Sequence, residues 1–137
     1  MFNHIMLGSN DLERSRTFYD AVLKVMGCGG PPIRSVTPTG HARLFYRHDG
    51  QSLAISQPID NEPATAANGS TVAFKCTSSE VVLAFHEAAI RHGGRSIEDP
   101  PGLRESALGA YWLAYVRDPD GHKLCAIYRV PPAATTT

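Results

Sequence analysis

The sequence predicts an α+β fold in which two copies of one βαβββ module form an eight-stranded cupped sheet, an open barrel with its helices outside. Three observations support this prediction. Residues 3–23 align without a gap on residues 70–90, at an offset of 67, and apolar positions coincide throughout. The aligned segments each contain a stretch with helical apolar spacing. Both halves then end in two β-segments around an Asp-Gly turn, Asp49-Gly50 and Asp120-Gly121.

The first module is expected to contain one helix and four strands. The helix has Ser9 or Asn10 as its N-cap, continues to about Val25, and is ended by the glycine and proline residues of 27–32. The expected strands are 2–7, 33–37, 42–47 and 52–57.

The second module repeats this pattern with a helix from Ser79 to His92, ended by Gly93-Gly94. Its expected strands are 71–76, 96–99, 110–117 and 123–129. The offset between the halves grows from 67 to 71 at the last hairpin, which indicates a small insertion in the second half. We expect a long loop at 100–109.

Residues 1–130 are expected to form a single domain. It consists of the modules 1–58 and 69–130, joined by a linker at 59–68 that contains proline and small polar residues. Residues 131–137 contain only Pro, Ala and Thr and are expected to be a flexible tail.

Composition excludes several classes of function. The 137 residues are 42% apolar and 19% charged, as in a globular protein. Thirteen basic residues balance thirteen acidic ones, which argues against a nucleic-acid partner. No apolar run approaches the roughly 18 residues that a membrane span needs. The N-terminus lacks a signal-peptide pattern, and three cysteines without CxxC spacing favour a reduced, cytoplasmic protein.

Three motifs carry a resemblance to a known superfamily. They are His4-Ile5-Met6-Leu7, the run from Asn10 to Tyr19, and the run from Tyr115 to Leu124 with its Asp-Pro-Asp-Gly turn. Together they resemble the vicinal oxygen chelate superfamily, which includes glyoxalase I, bleomycin-resistance proteins and extradiol dioxygenases. The resemblance covers about residues 2–129. It implies the cupped sheet but no single reaction, because this fold hosts lyases, dioxygenases, epimerases, thiol transferases and pure binding proteins.

The resemblance also implies where a metal would bind. Metal-dependent members hold a divalent ion with His or Glu side chains from the first and last strand of each module. Those positions correspond here to His4, Ala54, Thr71 and Cys125, so His4 is the only retained ligand. Residues 51–57 and 122–128 contain no Asp or Glu. We therefore expect no tightly bound metal and no cofactor; the alternative is a divalent ion recruited by His4 and Cys125.

The expected substrate-binding residues are His4, Ala54, Thr71 and Cys125 on the strands, with Arg104 and Tyr111 at the rim. Arg104 is suited to a carboxylate or phosphate, although a solvated loop arginine is the alternative. Alternatives for His4 are a general base or a metal ligand, and Cys125 is otherwise a small buried residue. Arg43 and Tyr46 are weaker candidates for the same rim.

This site predicts a protein that binds or transforms a small organic molecule in the cup without a tightly bound metal. A metal-dependent lyase resembling glyoxalase I is the first alternative, and a non-catalytic interaction module is the second. The resemblance implies a homodimer as well. No nucleic-acid or membrane partner is expected.

Overall fold

The computed structural model describes residues 1–133 and confirms an α+β fold built from two βαβββ modules. The first module consists of β1 (His4–Gly8), α1 (Leu12–Val25), β2 (Ile33–Val36), β3 (Ala42–His48) and β4 (Gln51–Ser56). The second consists of β5 (Val72–Lys75), α2 (Ser79–Arg91), β6 (Arg95–Ser96), β7 (Gly102–Ser106), β8 (Gly109–Arg117) and β9 (Lys123–Arg129). The expected tail at 131–137 lies partly outside the described residues.

Each module forms its own sheet. The strand order of the first sheet is β1-β4-β3-β2, and that of the second is β5-β9-β8-β6, with β7 also paired to β8. The first and last strands of each module are parallel neighbours, whereas the other pairs are antiparallel. A parallel pair needs a long crossover connection, and the helix is part of it in both modules.

The strand registers confirm the internal duplication. Met6 pairs with Ala54 in the first sheet, and Ala73 pairs with Cys125 in the second. The first strands differ by 67 residues and the last strands by 71, as the sequence alignment predicts. Equivalent residues therefore occupy equivalent places in the two sheets.

The prediction of a long loop at 100–109 is wrong, because most of this segment is strand β7. β6 pairs with the end of β8, Arg95 opposite Arg117, and β7 pairs with its beginning. Together β6 and β7 occupy one strand position that is broken in the middle. Pro100 and Pro101 have no N–H to donate to the ladder, and Glu98 has a left-handed backbone with φ 60°. The expected strand 96–99 accordingly ends at Ser96.

The N-cap of α1 is Asp11, so the expected cap at Ser9 or Asn10 is wrong. The Asp11 carboxylate accepts the Arg14 backbone N–H at 3.1 Å. Ser9 Oγ instead accepts the Asp11 N–H at 3.2 Å, one step outside the helix. Asn10 binds the segment between the modules, because its amide exchanges two hydrogen bonds with the Ala64 backbone at 2.7 and 3.0 Å.

One face of each sheet packs on the helices and the other does not. The largest buried residues, with at most 1% exposure, come from both helices and from the helix-facing side of the strands: Phe18, Tyr19, Val22, Leu44, Ile55, Val82, Phe85, Val116 and Leu124. We call the other side, which carries His4 in the first sheet and Cys125 in the second, the open face. No helix in residues 1–133 is long and apolar enough to cross a membrane.

The two modules are joined through α1 and the turn before β9. Tyr19 on α1 donates its hydroxyl proton to Asp118 at 2.6 Å, where both side chains are buried. Asp120 accepts hydrogen bonds from Arg14 at 3.0 Å and from Ser15 at 3.1 Å. Burial raises the pKa of Asp118, and the bond from Tyr19 opposes this shift.

Candidate functional site

The open face of the first sheet has a small, mostly neutral lining. Strand pairing arranges it in rows: His4, Ser52 and Arg47; then Met6, Ala54, Phe45 and Ile33; then Gly8, Ser56, Arg43 and Ser35. Ile33 is 59% exposed and Met6 38% exposed, so apolar side chains on this face lack a covering layer. Such a wall offers contact area and few charges.

His4 lies at the exposed end of this face. Its Nδ1 is 2.8 Å from Asn3 Oδ1, and its partner across the parallel ladder is Ser52. Ala54 lies one row further along, fully buried between its neighbours. Thr71 is exposed and immediately precedes β5. Within residues 1–133, no hydrogen bond or ion pair joins His4 to Thr71 or to Cys125.

The open face of the second sheet is more polar at its edges. Its rows are Lys123, Arg117 and Arg95; then Ala73, Cys125 and Tyr115; then Lys75, Ile127, Leu113 and Gly102; then Arg129, Tyr111 and Arg104. The middle rows are largely apolar and the outer rows are cationic. This arrangement suits a ligand with an apolar body and a polar end.

Cys125 lies in the floor of this face, only 3% exposed. Burial raises the pKa of its thiol, although the Tyr115 hydroxyl and the charge of Lys123 act in the opposite direction. Burial also raises the pKa of Tyr115, and the neighbouring Cys125 adds to that shift. At neutral pH Cys125 is therefore a covered thiol and a poor nucleophile.

Lys123 covers the ring of Tyr115. Its Nζ lies 4.8 Å from the ring centroid and 2.7 Å from a carboxylate oxygen of Glu98. Glu98 comes from the break between β6 and β7, so this ion pair fixes the broken strand against β9. The side chain of Lys123 is 24% exposed, so part of it remains accessible to a ligand.

Arg104 is on strand β7 and not in a loop. Its Nη2 donates to Pro100 O at 2.6 Å and its Nη1 to Leu103 O at 3.3 Å. A Cβ on Gly102 would lie 3.2 Å from Arg104 Nη1, so the guanidinium lies over this glycine. Arg104 faces Tyr111 across the ladder, so the two residues expected at the rim are neighbours.

The aromatic residues of the expected rim have different positions. Tyr111 lies on the open face, where its hydroxyl donates to Leu108 O at 3.2 Å and Arg129 lies 5.9 Å from its ring. Trp112 is on the opposite side and packs against the core. Tyr46 is wrong as a rim candidate: it is 4% exposed, faces α1, and donates to Asp20 at 2.7 Å.

The donor set does not fit a tightly held divalent metal. Ala54 has no donor atom, Thr71 is a neutral hydroxyl, and Cys125 is a covered thiol, so His4 alone is a good ligand. No group of three or more His, Cys, Asp or Glu side chains in residues 1–133 has the geometry to hold a metal ion.

Two cavities lie along the segment that joins the modules. The first, about 270 Å³, lies where the sheets meet and is lined by Met6 from one open face and Lys123 from the other, with Thr65, Ala67 and Val72. The second, about 470 Å³, is polar and lies beside the segment between the modules. It is lined by His41, whose Nε2 is 2.8 Å from Asn61 Oδ1. Only the first connects the two sheets.

Sequence reasoning missed Leu113 and Tyr115 as part of the site, and it missed Glu98 as the partner of Lys123. Strand β8 alternates between the core and the open face, so its odd-numbered residues could have been assigned to the floor. Glu98 could not have been assigned in this way, because it lies in the break, outside any strand.

Comparisons with known proteins define the class to which this fold and site belong. The sequence model of the glyoxalase/bleomycin resistance protein/dioxygenase superfamily matches residues 1–126. The chain therefore belongs to this superfamily. No curated protein sequence matches it significantly.

Several solved structures are similar to this chain. A glyoxalase/bleomycin resistance protein from Albidiferax ferrireducens T118 is 46% identical, with a TM-score of 0.84 over 94% of this chain and 99% of that one. A glyoxalase-related enzyme from Fulvimarina pelagi is 24% identical, with a TM-score of 0.69 over 94% of this chain and 88% of that one. A family enzyme from Burkholderia phytofirmans PsJN is 13% identical, with a TM-score of 0.68 over 93% and 98%. The latter two support the fold alone.

Proposed function

We propose that this protein binds a small organic molecule on the open faces of its two sheets, without a tightly bound metal. The observation that carries the proposal is the donor set at the four positions that correspond to the metal ligands of metal-dependent members. They carry His4, Ala54, Thr71 and Cys125, of which only His4 is a good metal ligand. The proposal covers a protein that transforms the bound molecule as well as one that only binds it.

The lining supports a ligand of mixed character. The first sheet contributes Met6 and Phe45, which offer apolar contact, and the hydroxyls of Ser52 and Ser56 in the neighbouring rows. The second contributes Leu113 and Ile127, with charged side chains at the edges. Small-molecule sites are commonly mostly apolar with a few placed polar groups, and this surface has that composition.

The proposal is tested by metal analysis and by fragment binding on the same sample. The full chain is dialysed against EDTA and its metal content is measured. A fragment library is then screened by ¹H–¹⁵N NMR. We expect far less than one metal ion per chain, and saturable amide shifts on β4, β8 and β9. Stoichiometric zinc, nickel or iron that disappears in His4→Ala would contradict the proposal, as would fragments that bind only after metal is added.

A metal-dependent lyase resembling glyoxalase I is the competing function. That chemistry needs a metal electrophile and a carboxylate base. Neither β4 nor β9, the strands that supply these groups in metal-dependent members, contains an Asp or Glu. Isomerisation of a glutathione hemithioacetal by the zinc- or nickel-loaded protein, with loss of turnover in His4→Ala, would favour the lyase.

We further propose a cytoplasmic homodimer. Support for a dimer comes from exposed apolar side chains on the first sheet and at the tip of the β7–β8 hairpin, where Ile33, Val36 and Leu108 are 59%, 62% and 78% exposed. Light scattering coupled to size exclusion is expected to give twice the chain mass. Replacement of Ile33 and Val36 by Ser is expected to weaken the dimer, and an unchanged monomer mass in both proteins would contradict it.

A further inference from the structure

We propose that the ligand of the second sheet is a small organic anion. Its acidic group is bound by Arg104 and its apolar body lies on Leu113, Tyr115 and Ile127. This inference rests on the proposed function, because it specifies the chemical class of the ligand for the same surface.

The first argument is the distribution of charge. The whole chain has as many acidic as basic residues. Its strands do not: nine of the thirteen lysines and arginines lie in strands, whereas Glu105 is the one acidic residue that does. The other twelve acidic residues lie in helices, turns and connections. The sheets are therefore cationic within a neutral protein.

Strand alternation places this charge on one side of the second sheet. Six basic residues lie on its open face: Lys75, Arg95, Arg104, Arg117, Lys123 and Arg129. Their cross-strand partners on this face include Tyr111 and Ile127, and the face also carries Cys125. Glu105 pairs with Ala110 and so points to the opposite side. No acidic strand residue faces this surface.

Most of these cations have no acidic partner within the protein. Glu98 neutralises Lys123 at 2.7 Å. For the other five, no carboxylate of residues 1–133 lies within 4.0 Å. Several like charges on a surface with an apolar floor produce a positive potential, which concentrates small anions there.

Arg104 is held in place by two backbone carbonyls and has no carboxylate partner within residues 1–133. Its two hydrogen bonds to Pro100 O and Leu103 O use two of the five guanidinium N–H groups, which leaves three for a ligand. The guanidinium lies over Gly102, where a Cβ would come within 3.2 Å of Nη1 and crowd it. A side chain ordered before binding loses little entropy on binding, and a guanidinium can hold a carboxylate or phosphonate with two parallel bonds.

The floor beside Arg104 indicates that the anion has an apolar body. Leu113 is the cross-strand partner of Gly102, and Ile127 is the partner of Leu113, so an apolar row runs inward from below the guanidinium. Leu113, Tyr115 and Ile127 are half-buried. Inorganic phosphate would leave this row uncovered, and so would a nucleic-acid backbone, which contacts cations through its phosphates alone.

The test compares two probes with the same ring system and different charge, 2-naphthoate and the uncharged 2-naphthamide. Each is titrated into the EDTA-dialysed full chain and followed by ¹H–¹⁵N NMR. We expect 2-naphthoate to shift the amides of β7, β8 and β9 saturably. Because loss of a charge-assisted pair commonly weakens binding about ten-fold, 2-naphthamide is expected to bind about ten-fold more weakly.

Variants then assign the contact. Arg104→Met keeps an unbranched apolar side chain but removes the guanidinium, and it is expected to weaken 2-naphthoate binding about ten-fold, with little effect on 2-naphthamide. Lys75→Met removes an exposed cation beside the same floor without touching the carbonyl contacts of Arg104, and it is expected to weaken binding by a smaller factor. Arg34→Met is the matched control, because Arg34 is a strand arginine on the helix-facing side. It is expected to leave both affinities unchanged.

Several results would overturn the inference. Equal binding of the two probes on this face would remove the need for an anion while leaving the proposed function intact. An unchanged affinity in a folded Arg104→Met would exclude the assigned contact. Tighter, steeply salt-dependent binding of a short DNA duplex would indicate a polyanion instead. Absence of both probes from the face would also reject the inference, and the fragment screen would then decide whether the proposed function fails with it.

Discussion

The two modules share one scaffold and differ in what they present on it. Their first and last strands pair in the same register once the offsets of 67 and 71 are applied. Their open faces differ: the first carries Arg43 and Arg47 among apolar and serine side chains, and the second carries six basic residues. The two modules therefore share the pattern of buried apolar residues, because packing constrains it. Their open faces differ in sequence, because packing does not constrain them.

The turns before the last strands differ in the same way. Asp49 and Gly50 form an exposed hairpin turn, and no hydrogen bond joins the Asp49 side chain to the second module within residues 1–133. The turn from Asp118 to Gly121 binds α1 of the first module through Asp118 and Asp120. The second module thus supplies both the charged face and the connection between the modules, and the predictions below test that asymmetry.

The largest effect is expected from the turn that joins the modules. Asp118 accepts the Tyr19 hydroxyl and the backbone N–H groups of Asp120 and His122. Asp118→Ala leaves these buried donors unpaired, and we expect a loss of about 4 kcal/mol in the free energy of unfolding. Asp49→Asn, a change in the exposed turn of the first module, is expected to cost less than about 0.5 kcal/mol. Urea unfolding measures both, and equal costs would refute the asymmetry.

The next effect concerns the contact of α1 with the end of α2. A Cβ on Gly94 would lie 2.7 Å from the Phe18 ring, 2.8 Å from Ala89 O and 3.0 Å from Arg117 O. Two of these neighbours are backbone atoms, so we expect Gly94→Ala to cost about 3 kcal/mol through overpacking. Gly30 has no atom within 4 Å of such a Cβ, so Gly30→Ala is the control with little effect. Thermal unfolding midpoints that are the same for both variants would count against close packing here.

Two tyrosines compare a bond between modules with a bond inside one. Tyr19 donates to the buried Asp118 of the second module, and Tyr46 donates to Asp20, whose side chain is 45% exposed. Tyr19→Phe leaves Oδ2 of the buried Asp118 carboxylate without its donor, while Oδ1 keeps the two backbone N–H groups. We therefore expect a cost of about 2 kcal/mol, against about 1 kcal/mol for Tyr46→Phe, where water can replace the lost donor. Chemical denaturation measures the free energy of unfolding of both variants. A larger loss for Tyr46→Phe than for Tyr19→Phe would contradict this ranking.

The smallest effect is a pH dependence of the free energy of unfolding, which arises from the Tyr19–Asp118 pair. Burial raises the pKa of Tyr19 well above its usual value of 10.0, as does the neighbouring charge of Asp118. Above pH 10 the unfolded chain loses this proton while the folded chain keeps it, so the free energy of unfolding falls as pH rises. The free energy of unfolding of Tyr19→Phe is expected to fall less steeply than that of the wild type between pH 9 and about pH 11. Parallel curves would show that Tyr19 ionises as readily in the folded protein.

Much of the fold could be predicted because it depends on local patterns. The βαβββ repeat follows from apolar spacing and two Asp-Gly turns, which act over a few residues. Local ambiguity explains one error: Ser9, Asn10 and Asp11 are all good caps, and the sequence does not rank them. Another error is the loop at 100–109, since a strand that resumes after two prolines looks like a loop in sequence.

The site was less predictable because it depends on long-range pairing. The absence of Asp and Glu from β4 and β9 is visible in the sequence. The bond from Tyr19 to Asp118 spans 99 residues, and the ion pair of Lys123 with Glu98 involves a residue outside any strand. Tyr46 was wrongly predicted at the rim, because the sequence does not give the register of β3. The observed register and the bond to Asp20 show that its side chain points to α1.

The break between β6 and β7 has a consequence for how the protein behaves in solution. This strand position forms the outer edge of the second sheet, and an unbroken edge would offer a continuous row of N–H and C=O groups to another chain. Pro100, Pro101 and the left-handed Glu98 interrupt that row in its middle. The insertion that lengthens the second module therefore also protects it against edge-to-edge aggregation.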